Sequence, residues 1–191
     1  MKTLTRYFSA SAAALVLSAS FFAATATAQD KHEHATPKAV TAQQASLIQI
    51  IRDSTARFQD VNVAKAEGYQ LQFGCVAGDD FGAMGLHYVN GNLVASGTLD
   101  ATRPQIVIYE PQPDGTLKLI GVDYLLLADA WNLNHSGPPE LMGQFFHLFT
   151  APNRFGLPTF YTLHVWAWKN NPNGAFVNWH PNVSCEAFNG Q

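Results

Sequence analysis

Three histidines in this 191-residue chain stand among apolar neighbours: His87 in "LHYV", His147 in "QFFHLF" and His164 in "YTLHVWAW". An acid, Asp123, interrupts the run "LKLIGVDYLLLA", and Glu110 closes "IVIYE". A carboxylate inside so apolar a segment must be paired, coordinated or protonated, because an isolated buried charge is prohibitively costly. Neutral imidazoles with a carboxylate suit a divalent transition metal, as in the His/His/carboxylate sites of non-haem iron and zinc proteins. No H-x-H or H-E-x-x-H spacing is present, so each ligand would come from a different segment. Two other readings stay open. A His–Asp pair can do metal-free acid–base work, Asp123 orienting the ring of His87 or His164. Or the histidines are core residues donating to backbone carbonyls, with Asp123 paired to one of them.

Strand periodicity gives His164 a setting. Along 160–168 the odd positions are almost purely apolar, whereas the even ones are Phe160, Thr162, His164, Trp166 and Trp168. An aromatic face carrying polar handles fits the wall of a small-ligand cavity. Phe160, Thr162, Trp166 and Trp168 are therefore candidate pocket residues, while Trp131 and Trp179 offer further stacking surfaces or core bulk.

The positioning elements divide in two. Thr41-x-x-Gln44 is a capping box, and Leu47, Ile48, Ile51, Thr55 and Phe58 recur at helical spacing. A shorter helix is expected from Asp60 to Gly68. Short β segments follow: "YQLQFGC", "LHYV" ending at Asn90-Gly91, "QIVIYEP" and "TLKLIGVDYLLLA" around the turn Pro113-Asp114-Gly115, "QFFHLF", "TFYTLHVWAW" and an extended "AFVNWHPNVSC". The expected fold is α+β, an N-terminal helix pair packed on a twisted, mainly antiparallel sheet of five to seven strands. A cone-shaped sheet curled around the helices fits equally well.

The N-terminus reads as an export signal: basic Lys2 and Arg6, an apolar stretch, and Ala26-Thr27-Ala28 as cleavage site. Residues 1–28 would be removed, 29–40 form a flexible leader, and 41–191 one domain in the periplasm or outside the cell. Two of the 11 basic residues lie in the signal, leaving nine against 14 acidic ones, a net charge of −5 with histidine neutral. That balance, without a Lys/Arg cluster, argues against nucleic acid and, after cleavage, against membrane surfaces as partners. In an oxidising compartment Cys75 and Cys185 are most simply a disulfide; metal-ligating thiols are the alternative.

No G-x-S-x-G elbow and no G-x-G-x-x-G loop is present, and Asp79-Asp80 lacks the alternating oxygens of a calcium loop. His32 and His34 belong to the polar leader, His135 to a Gly/Pro loop that would form a lid, and His180 to a turn near Cys185.

The strings "MGLHYVN", "IYEP", "GVDY", "LHVWAW" and "NPNGAFVNWHPNVSC" resemble a family of secreted bacterial proteins of unassigned function, from about Phe58 to Cys185. The family pattern has glutamate where this chain has Asp123, and asparagine in place of His180. The resemblance implies export and a single domain, and carries no activity or cofactor. The reading is thus an exported small-ligand-binding domain with a His/carboxylate centre.

Overall fold

The computed structural model describes residues 40–190. The proposed signal segment and the leader up to residue 39 lie outside the described residues. The capping box forms as read: Thr41 Oγ1 accepts from the Gln44 amide at 3.2 Å and Gln44 Oε1 accepts from the Thr41 amide at 2.8 Å. It opens α1 (Ala42–Thr55), which buries Leu47, Ile51 and Thr55 along one face. A 3-10 turn (Ala56–Gln59) follows and buries Phe58. Asp60 then caps α2 (Val61–Ala66) by accepting from the Asn62 amide. Burying Leu47, Ile51 and Phe58 contributes about 1.5–3 kcal/mol each, which holds α1 and the turn after it on the sheet.

The strands are β1 (Tyr69–Gly78), β2 (Gly82–Asn90), β3 (Ile106–Pro111), β4 (Leu117–Leu127), β5 (Glu140–Leu141), β6 (Gln144–Phe145), β7 (His147–Phe149) and β8 (Phe160–Val165). Six make one antiparallel sheet in the order β1-β2-β3-β4-β8-β7, curled into a half-barrel, while β5 and β6 form a separate hairpin. Two short helices, α3 (Gly91–Ser96) and α4 (Ala128–Asn132), continue directly from β2 and β4. The strand ends at Asn90 as expected, and the Asn90 side chain accepts from the Asn92 and Leu93 amides and starts α3.

The central strands β3 and β8 are buried at every position, and β4 nearly so, which explains their almost continuous apolar sequences. One face carries Val107, Tyr109, Val122, Tyr124, Leu163 and Val165 against the helices. The other carries Ile106, Ile108, Leu125, Phe160 and Trp166 under the chain around Phe155, Val177 and Val183.

Two sequence expectations fail locally. "QFFHLF" is not one strand: Phe146 turns inward and donates its amide to Pro139 O, separating β6 from β7. "AFVNWHPNVSC" is a loop rather than a strand, with a single β-bridge to the sheet between Ala83 and His180. Its backbone groups bond across to β2 and the end of β8 rather than along a ladder. The Cys75–Cys185 disulfide forms, closing a loop across 110 residues and tying this segment to β1. No helix among the described residues is long and apolar enough to cross a membrane.

Candidate metal centre

Four adjacent strands build one site. In register, Ile106 of β3 lies opposite Asp123 of β4, and Asp123 lies opposite His164 of β8. His87 of β2 lies opposite Ile108, two residues along the same face from Ile106. Directly opposed residues project to the same side of an antiparallel sheet, so the two histidines and the acid share the face turned away from the helices. A ligand atom from each of His87, Asp123 and His164 lies within 4.8 Å of the others, and all three residues are buried.

Two glycines shape this part of the sheet. Gly85 has φ +92° beside a β-bulge, and a Cβ there would stand 2.6 Å from Tyr109 O. A Cβ on Gly121, beside the β3–β4 bulge, would stand 2.7 Å from Val165 O. Each glycine sits two residues before a site residue, in "GLH" and "GVD". Bulges bend and twist strands at such positions. Sequence reasoning missed both, although a glycine inside an otherwise apolar strand is itself a bulge signal.

The hydrogen bonds determine the ring protonation. His87 Nδ1 lies 3.1 Å from Gly85 O. A carbonyl only accepts, so Nδ1 carries the proton and His87 Nε2 offers a lone pair. That Nε2 lies 3.3 Å from His164 Nε2. His164 Nδ1 is 3.7 Å from Asp123 Oδ1 and has no hydrogen-bond partner despite burial. If the His164 proton is on Nε2, its Nδ1 lone pair faces a carboxylate oxygen. If it is on Nδ1, two Nε2 lone pairs converge. Neither neutral arrangement satisfies both rings, and an unmet buried polar atom costs about 1–3 kcal/mol. Among the described residues the other such side-chain atom is Asn178 Oδ1, from the loop covering this face.

Burial dominates the electrostatics. It pushes His87 down to about 4, with the neighbouring His164 adding to the effect and Asp123 opposing it. It pushes His164 down to about 3, the Asn178 amide working the other way. It pushes Asp123 up to about 6, against the hydroxyl of Thr162, which donates to Oδ1. At neutral pH both rings are therefore neutral and able to donate lone pairs.

A cavity of about 20 Å³ adjoins the three side chains, lined mainly by Phe73, Met84, Ile106, Leu125, Phe155 and Phe160. Phe73 meets Phe155 edge-on at 5.5 Å and Phe149 stacks on Phe160 at 5.4 Å. One water needs roughly 10–15 Å³, whereas organic ligands occupy pockets of roughly 300–1,000 Å³. The cavity holds one water-sized occupant, not the larger ligand that the aromatic pattern led us to expect.

The remaining candidates separate. Phe160 and Thr162 line the cavity. Trp166 is buried on the same side, its ring 6.3 Å from that of His164. Trp168 is not there: β8 ends at Val165, the alternation stops, and the Trp168 indole donates to Thr55 Oγ1 on α1. His147 is opposite Thr162 but exposed on the edge strand β7, outside the cluster. Glu110 is held by Lys169 Nζ at 2.7 and 2.8 Å and by the Ser184 amide, away from the three residues. His180 is fully buried, its Nε2 bonded to Asn170 O and its Nδ1 accepting from the Asn182 amide. His135 stacks on Trp131 in an exposed loop and does not line the cavity. Phe73, Met84, Phe149 and Phe155 went unnoticed because each lies in a bulge, an irregular segment or an edge strand where periodicity says little.

No protein-family model, curated protein or solved structure matches the chain.

Proposed function

We propose that this chain is an exported metal-binding protein in which His87 and His164 hold a transition-metal ion through Nε2. Asp123 neutralises charge beside them and orients the His164 ring. The convergence of the two Nε2 atoms carries this reading. Two ligands about 2.1 Å from a shared ion and 3.3 Å apart subtend about 105°, near the tetrahedral value. With an ion between the rings, His87 donates Nδ1–H to Gly85 O and His164 directs Nδ1–H toward Asp123, so the protonation conflict disappears. Such outer partners, a backbone carbonyl and a carboxylate, commonly orient metal-ligating histidines. Without an ion, one tautomer sets the His164 Nδ1 lone pair against a carboxylate oxygen and the other sets the two Nε2 lone pairs against each other. Export is supported by the signal-like N-terminus, the Cys75–Cys185 disulfide and the resemblance to secreted bacterial proteins.

The test is elemental analysis of the mature, tag-free protein beside His87→Ala and His164→Ala variants shown to be folded by circular dichroism. Near-stoichiometric metal in the wild type, lost in both variants, is expected. A wild type that carries none and takes up none on titration would overturn the proposal.

A further inference from the structure

Resting on that metal site, we infer that its ion is monovalent copper, Cu(I), held in low coordination by His87, His164 and the thioether of Met84. The argument begins with Met84, which is 2% exposed, belongs to neither hydrophobic core cluster and lines the cavity beside the histidines. Residues three apart on a regular strand point to opposite faces. Met84 and His87 nevertheless line the same cavity, because the bulge and the positive φ of Gly85 change the strand's phase between them. A bulge that re-aims a side chain beside a site is a specific construction. Here it places a thioether side chain in the lining of the cavity that also holds the two imidazoles.

Charge gives a second argument. Among the residues lining the cavity Asp123 alone is a carboxylate, and none is Lys or Arg. Histidines bind metals as neutral rings. A divalent ion would leave one uncompensated positive charge in an apolar enclosure, whereas a monovalent ion with Asp123 sums to zero. Desolvating a net charge is strongly unfavourable, so the enclosure favours the monovalent ion. Space gives a third. A 20 Å³ cavity cannot supply the several waters that complete an octahedral shell. Thioether donors select Cu(I) over harder divalent ions. The nearest competitor is Zn(II) carrying one hydroxide, which also balances charge and fits, but has no use for the sulfur.

The deciding experiment loads metal-free protein anaerobically with Cu(I) against bicinchoninate, a chromogenic Cu(I) chelator. Parallel samples receive Zn(II) with a zinc indicator, and copper K-edge absorption is recorded on the loaded wild type. One Cu(I) per chain with a sulfur scatterer in its shell is expected. Met84→Leu should lose that scatterer and bind Cu(I) at least tenfold more weakly, with Zn(II) affinity changed less than twofold. A copper shell without sulfur in the wild type, or tight Zn(II) uptake while Cu(I) stays with the chelator, would refute the copper assignment and leave the metal site standing. Uptake of neither ion would remove both.

Discussion

The Nε2 atoms of His87 and His164 approach to 3.3 Å although two whole strands, β3 and β4, lie between the strands that carry them. Three strand spacings in a flat sheet amount to about 14 Å. The side chains span part of that distance, and the curl of the sheet must supply the rest. Neighbouring strands of the sheet come close at Gly85 and Gly121, where a Cβ would meet the next strand's carbonyl at 2.6 and 2.7 Å.

Alanine at either glycine should therefore damage stability and the site together. We expect Gly85→Ala and Gly121→Ala each to cost about 2–4 kcal/mol in urea unfolding, through backbone displacement and, at Gly85, left-handed strain. Gly97→Ala is the control: it also has positive φ, at +61°, but open space around it, and should cost only about 1 kcal/mol. Equal losses at Gly97 and Gly121 would show that close strand approach is not what demands the glycine.

Asp123 should matter more to the ion than to the fold. Asp123→Asn keeps the size and an acceptor for Thr162 but removes the charge. Metal affinity measured by chelator competition should fall by roughly 10–100-fold, the usual loss when an outer carboxylate partner is removed. Thr162→Val deletes the hydroxyl that bonds Asp123 Oδ1 and should cost about 1–3 kcal/mol of stability as a buried acceptor loses its donor. Unchanged affinity in Asp123→Asn would exclude Asp123 from the centre.

What the sequence disclosed, and what it did not, follows from the range of each signal. Helix α1 was legible because Thr41 and Gln44 cap it locally and its apolar residues repeat at helical spacing. Asp123 and His164 stood out because β4 and β8 are buried on both faces, so a polar residue there breaks a continuous apolar pattern. Their convergence with His87 was not legible, since it depends on sheet order and curl that no local pattern encodes. Trp168 was misplaced because alternation was extended past the end of β8. Glu110 was misassigned because its partner Lys169 is 59 residues away and follows that same strand end. Met84 was hidden because the Gly85 bulge changes the phase of the strand.

The disulfide should be worth several kcal/mol. It closes a span of 110 residues, for which chain entropy gives a ceiling of about 5 kcal/mol. The double variant Cys75→Ser with Cys185→Ser should lower the unfolding free energy by about 3–5 kcal/mol in urea titration. A loss below about 1 kcal/mol would mean that the C-terminal segment is held chiefly by its other contacts, such as the Glu110–Lys169–Asn182 linkage.

Alkaline pH should weaken the fold through three buried phenols. Tyr69, Tyr109 and Tyr124 donate to Pro104 O, Phe58 O and Ala101 O. Burial pushes Tyr69 up to about 12 and the other two higher still. A raised acid pKa means that the fold favours the neutral phenol. The contribution is complete below the unfolded value near 10 and disappears as pH rises from there through the folded value. Each tyrosine can add up to about 1.4 kcal/mol per pH unit to the decline. Urea midpoints should hold to about pH 9 and drop steeply by about pH 11. Tyr69→Phe should flatten that drop while lowering stability by about 1 kcal/mol at neutral pH. A variant as steep as the wild type would remove Tyr69 from this account.

Phe73 should govern how fast an ion enters and leaves. It is 42% exposed, yet lines the cavity and meets Phe155, placing it at the boundary between the site and solvent. It also has φ +65°, next to Gly74 at +64°, in the bulge between Gln72 and Cys75. A left-handed backbone at a bulky residue costs about 1–2 kcal/mol and persists only where surrounding structure imposes it. Here the register pairs Gln72–His87 and Cys75–Leu86 and the disulfide fix both ends of the bulge. Phe73→Gly relieves that strain while removing the ring, so stability should change by less than about 1 kcal/mol. Removal of bound metal by excess chelator should accelerate at least tenfold, with equilibrium affinity nearly unchanged, because Phe73 supplies no ligand atom. An unaltered extraction rate would place the route to the ion elsewhere, through the loop that carries Asn178.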